Sequence, residues 1–67
     1  MITVNQCRIA LQNTGLRAGP EASKELKQQI DETTELIAEN AAKIAKHSGR
    51  QTITIDDIRL AVEILEE

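Results

Sequence analysis

The stretch from Pro20 to His47 limits what this chain can fold into more than any other. Leu26, Ile30, Thr33, Ile37, Ala41 and Ile44 recur at alternating steps of three and four residues, the spacing of one face of an α-helix. No Gly or Pro falls between Ala22 and His47. Pro20 suits the first helical turn, where a missing N–H costs nothing. Gly49 stands just past Lys46 and His47, where a helix-terminating glycine belongs. A helix over 20–47 spans about 42 Å at 1.5 Å per residue. A compact 67-residue monomer, taken as twice its radius of gyration, is only about 22 Å across. The two short flanks cannot cover such a helix, and the expected remedy is a second copy of the chain.

Length and composition narrow the class. Sixty-seven residues make one domain at most, 1–67, and a core of that size is marginal without a metal, disulfides or a partner. A single cysteine excludes an internal disulfide, and a single histidine leaves no His/Cys metal cluster within one protomer. The chain has no aromatic residue, which removes stacking platforms for unpaired bases. No segment resembles a signal peptide or approaches membrane-spanning length, so a reducing, cytoplasmic compartment and no membrane partner are expected.

Net charge is −3, against a simple nucleic-acid binder. The distribution points the other way. Residues 1–20 hold Arg8 and Arg17 and no acid, and residues 40–55 hold Lys43, Lys46 and Arg50 and no acid. Every carboxylate lies at 21–39 or 56–67. Solvated helix faces would account for this by chance clustering. A functional reading needs a fold that brings the first window close to the second.

Along the chain, Thr3 and Gln6 have the spacing of a capping box and predict a short helix over about 4–13, stopped by Gly15. Val4, Cys7 and Leu11 share its inner face, with Cys7 read as a small buried hydrophobe. Residues 15–19 form a connection whose only charge is Arg17. On the outer face of the long helix, Lys24, Lys27, Asp31, Glu32, Glu35 and Glu39 read as solvated. In the second connection, Thr52 and Ile53 favour a very short extended piece. Thr54 caps a third helix, over about 55–66, with Asp56 and Asp57 in its first turn. Ile55, Ile58, Val62 and Leu65 form one face of that helix, and Leu60 and Ile64 form a second, with Asp57 on their side. Both faces are buried only if something further docks there.

The segment from Lys43 to Ala61 resembles the archaeal histones. Lys46, His47, Gly49, Arg50, Thr52, Ile53, Asp57, Ile58, Leu60 and Ala61 match that family's Lys-His-x-Gly-Arg-x-Thr-Ile motif and the Asp-Ile and Leu-Ala pairs after it. The likeness runs without gaps back to Arg8 and Ile9. It implies an all-α histone fold of short, long and short helices, paired as a handshake homodimer whose long helices cross. Leu26, Ile30, Ile37, Ala41, Ile44, Ile58 and Val62 would then form the dimer core. The first loop of one chain would lie beside the second loop of the other, joining the two acid-free windows.

The resemblance also suggests residue roles. Arg50 and Asp57 are similar to an arginine–aspartate pair that braces the second loop. Thr52 resembles a phosphate-contacting threonine, Arg17 a minor-groove arginine and Arg8 a backbone-contacting arginine. Lys43, Lys46, Arg50 and Gln51 complete the expected DNA-binding set. His47, Asp57, Leu60 and Ile64 are similar to a dimer–dimer contact that builds tetramers. Departures from the pattern are Gln51 where the family often has lysine, Leu11 in place of a first-helix lysine, and Thr54 in place of a basic residue. Fewer cations imply weaker, less salt-sensitive binding.

The expected function is thus sequence-tolerant architectural binding of double-stranded DNA, with a nucleoid location. The alternative is a histone-fold interaction module that docks on or caps other histone-fold chains, with weak or no DNA binding. An enzyme is not expected, nor any cofactor or metal. One histidine, one buried cysteine and no Gly-rich phosphate loop provide no nucleophile–base pair or metal cage.

Overall fold

In the computed structural model, which describes residues 2–66, three helices follow one another: α1, Val4–Gln12; α2, Pro20–His47; and α3, Ile55–Glu66. Among the described residues there is no strand, so the chain is all-α with the short–long–short order of the histone fold. Where a very short extended piece is expected at Thr52 and Ile53, the chain bends at Gln51 and Thr52, and Ile53 lies in irregular backbone without strand pairing. A strand needs a neighbour to receive its backbone hydrogen bonds, and none of the described residues supplies one.

Local chemistry sets each boundary. Thr3 caps α1 through a reciprocal box: the Gln6 N–H donates to Thr3 Oγ1 at 3.1 Å, and the Thr3 N–H donates to Gln6 Oε1 at 2.8 Å. The helix ends at Gln12, one residue earlier than expected, because Asn13 is already its C-cap, with its N–H on the Ile9 carbonyl at 3.0 Å. Replacing Thr3 with alanine should lower stability by about 1 kcal/mol in urea unfolding, the typical loss of an N-cap oxygen. Along α2, hydrogen bonds pair Gln29 with Glu25, Lys27 with Asp31 and Gln28 with Glu32, each four residues apart. Such pairs are worth a few tenths of a kcal/mol each on an exposed face.

The chain divides into two compact units, Met1–Glu32 and Thr33–Glu67, and α2 contributes to both. In the first, Cys7 and Ser23 are the buried residues. In the second, Ala41, Ala45, Ala61 and Asp57 are buried. No leucine, isoleucine or valine among the described residues is fully enclosed. The α2 stripe of Leu26, Ile30, Ile37 and Ile44 is half-buried, as is Val62.

The inner edge of α3 also differs from expectation. It is the Asp57–Ala61 seam, and the two apolar faces flank it at 3.6 residues per turn. Leu60 and Ile64 lie on one flank, Ile58 and Leu65 on the other, each 39–46% exposed. Asp57 is therefore turned into its own unit, at 2% exposure, and not out onto the Leu60–Ile64 face.

Candidate functional site

The second loop is built by the way α2 ends. Gly49 adopts φ +72°, a left-handed conformation that favours glycine. The Arg50 N–H reaches the Ala45 carbonyl at 3.0 Å, and the Gly49 N–H reaches the Lys46 carbonyl at 3.0 Å. These two bonds form a Schellman motif, which reverses the chain and carries Arg50 toward the start of α3.

Arg50 then grips Asp57 with both terminal guanidinium nitrogens. Nη1 donates to Oδ2 and Nη2 to Oδ1, each at 2.7 Å, and Nη1 also donates to the Thr52 carbonyl at 3.1 Å. Asp57 is the third residue past Thr54 and closes a second capping box. The Thr54 N–H donates to Asp57 Oδ2 at 2.8 Å, and the Asp57 N–H reaches Thr54 Oγ1 at 3.4 Å. One buried carboxylate thus ties together the loop, the α3 N-cap and an arginine.

The electrostatics follow from these contacts. The Arg50 guanidinium, helped by the Thr54 N–H, holds the Asp57 carboxyl well below its ordinary value of 3.8, although burial acts in the opposite direction. The same hydrogen-bonded pairing raises Arg50 above its usual value.

The site residues expected from sequence divide between the two units. In the second unit, Lys46, Arg50 and Gln51 line one open cleft with Ala42, Ala45 and Ile53. Thr52 is exposed beside them, with its carbonyl held by Arg50. Lys43 and His47 are exposed on α2. In the first unit, Arg17 is exposed in the loop, and Arg8 is exposed with its Nη2 donating to Asn5 Oδ1 at 2.6 Å. Of the residues expected at a dimer–dimer contact, His47, Leu60 and Ile64 are exposed. Asp57 is not: its oxygens are taken up by Arg50 and Thr54.

The Thr54–Asp57 capping box goes beyond the sequence expectation, which gave Thr54 the cap alone. Its signal is present as Thr-x-x-Asp, the same pattern that marks Thr3–Gln6 with an acid in the last position. Asn5, three residues before Arg8, is the other partner that the sequence reading does not single out.

Among the described residues, no three His, Cys, Asp or Glu side chains cluster closely enough to hold a metal, and no helix is long and apolar enough to cross a membrane.

Comparison with known proteins bears on this arrangement. The family model of the core histone domain, shared by the four core histones, matches residues 4–64. Among curated proteins, the chain is similar to a subunit of the archaeal histone HAN1 of Thermococcus zilligii, with 34% identity over 47 residues, 70% of each chain. The first two helices, the Schellman end of the central one, the Arg50–Asp57 brace and all but the last two residues of α3 lie within the span matched by the family model. The chain belongs to the core histone family, as an archaeal-type histone-fold protein with the architectural role in chromatin that membership carries.

Proposed function

We propose that this histone acts as a handshake homodimer, with the α2 stripes crossed, that binds double-stranded DNA through paired loops without reading bases. The observation that carries the DNA reading is charge placement. Arg8 and Arg17 in the first window, and Lys43, Lys46 and Arg50 in the second, are the only charged side chains of two acid-free stretches in a chain of net charge −3. Thr52 adds an exposed hydroxyl at the tip of the second loop and Gln51 an exposed amide. Arg50 has a double role, since its guanidinium faces Asp57 while its loop presents Thr52. The half-buried stripe of Leu26, Ile30, Ile37 and Ile44, with Ile58 and Val62 on α3, supports pairing, because apolar surface of that extent on a small protein marks a contact. His47, Leu60 and Ile64 provide a further face for joining dimers into tetramers.

Gel-shift titration at two salt concentrations tests the DNA reading. Arg17→Ala and Thr52→Ala should each weaken binding about equally on unrelated sequences, and Arg17→Ala, which removes one cation from each chain of the dimer, should flatten the salt slope by about two units. Unchanged affinity of Arg17→Ala at low salt would move the assignment to a second reading. In that reading the chain is one member of a complex with another histone-fold chain and makes few DNA contacts itself. The acidic balance favours it, as does the relative's being named as one subunit of its histone. The tetramer face has its own readout: Leu60→Glu should leave a dimer in sedimentation where the unmutated protein gives a tetramer. A dimer from both proteins removes the face from the account.

A further inference from the structure

An open cleft of about 270 Å³ lies where α2 gives way to the second loop. The methyl groups of Ala42 and Ala45 and the side chain of Ile53 make it apolar, and Lys46, Arg50 and Gln51 edge it with polar groups. Ile53 is 45% exposed there. A phosphate would find partners only at the edge, so the apolar part calls for an apolar group.

The other unit of the same chain carries such a group with no cover. Leu16, at 75%, is the most exposed large hydrophobic residue among the described ones. Its backbone is held in place. Gly15 turns the chain at φ +92°, the Gly15 N–H donates to the Gln12 carbonyl at 3.0 Å, and Thr14 Oγ1 donates to the Leu11 carbonyl at 2.6 Å. The Leu16 N–H in turn reaches Thr14 Oγ1 at 3.4 Å. A knob already ordered loses little further freedom when it docks.

We propose that Leu16 of one copy seats in the Ala42–Ala45–Ile53 cleft of a second copy, and that this contact selects the chain's partner. The inference rests on the paired-loop dimer of the preceding section, which brings the first loop of one chain beside the second loop of the other. Two-fold symmetry makes the contact twice, so each dimer gains two buried leucines. Selectivity follows from shape. A histone-fold chain with a small or polar residue at this position leaves the cleft unfilled, and an unfilled apolar void weakens that pairing relative to self-pairing. Arg17 follows Leu16 directly. Seating the leucine sets Arg17 at the edge formed by Lys46 and Arg50, where phosphate relieves the crowding of like charge. DNA binding and pairing therefore strengthen each other.

A cysteine pair tests the contact. The variant Leu16→Cys/Ile53→Cys, with the fully buried Cys7 left in place, should form a covalent dimer under oxidised glutathione, at twice the 7.4 kDa chain mass and reversed by dithiothreitol. Leu16→Cys alone, and Leu16→Cys/Leu36→Cys as a misplaced pair, should cross-link much more slowly. Leu16→Ala should raise the dimer dissociation constant by about a hundredfold, and Leu16→Met by about threefold or less. If the unmutated protein sediments as a dimer or tetramer while the Leu16/Ile53 pair cross-links no faster than the controls, or Leu16→Ala leaves the constant unchanged, the knob is overturned and the paired-loop reading stands. An unmutated protein that sediments as a monomer overturns both.

Discussion

Ile37→Asp is expected to abolish the folded species at micromolar concentration, with helical circular dichroism and the oligomeric sedimentation boundary lost together. Ile37 lies mid-stripe on α2, half-buried in its own protomer, and the residues enclosed in each unit are small or polar. Cys7, Ser23, Ala41, Ala45 and Ala61 bury too little apolar surface to hold a domain of this size against its conformational entropy. In the proposed homodimer the remaining stabilisation comes from the crossing of two stripes, so folding and pairing become one equilibrium. An aspartate at position 37 places an unpaired carboxylate in that crossing on each chain. At a few kcal/mol or more per site, two such groups exceed what a small dimer of ordinary stability can absorb. Glu35→Asp is the control: position 35 faces solvent on the same helix and should change stability by less than about 0.5 kcal/mol. If Ile37→Asp unfolds at the same denaturant concentration as the unmutated protein, the stripe is not an interface.

The parts of the fold legible in the sequence follow from local rules. Pro20, the stripe and Gly49 mark α2 because helix starts, helix periods and left-handed stops are short-range chemistry. The Thr3–Gln6 box does the same for α1. The inner edge of α3 is harder to see, because hydrophobicity ranks leucine and isoleucine above alanine and aspartate. The two apolar faces draw attention to the flanks of a helix whose buried line is Asp57 and Ala61. An acid reads as surface until a partner is known. Asp57 and Arg50 are seven residues apart across a loop, outside any helical or strand period, so only the family likeness puts them together without the 2.7 Å contacts. The exposure of Leu16 has no signal at all: one leucine in a polar loop looks like any other until a cleft of suitable chemistry is found.

Removing either half of the Arg50–Asp57 brace should lower stability by more than removing the α1 cap, with a distinct dependence on pH. Asp57 accepts from both Arg50 nitrogens and from the Thr54 N–H, so Asp57→Asn breaks one charge pair and disturbs one cap in a single step. Arg50→Ala leaves the buried carboxylate with the Thr54 contacts alone. Arg50→Lys should recover little, because an ammonium cannot fork onto both oxygens and still reach the Thr52 carbonyl. The sign of the pH effect comes from the lowered pKa. A carboxyl held below its ordinary 3.8 in the folded state contributes stability that is fully present above that value. The contribution fades as pH falls below 3.8, because the unfolded chain takes up the proton first, and it is gone once the folded carboxyl is protonated as well. Urea midpoints for the unmutated protein and Asp57→Asn should therefore differ most at neutral pH and converge as pH falls from about 4 toward 2. Arg50→Ala should converge in the same window, since it too releases the Asp57 pKa toward its ordinary value. A gap between Asp57→Asn and the unmutated protein that stays constant from pH 7 to pH 2 would mean that the carboxylate's charge contributes nothing to the brace.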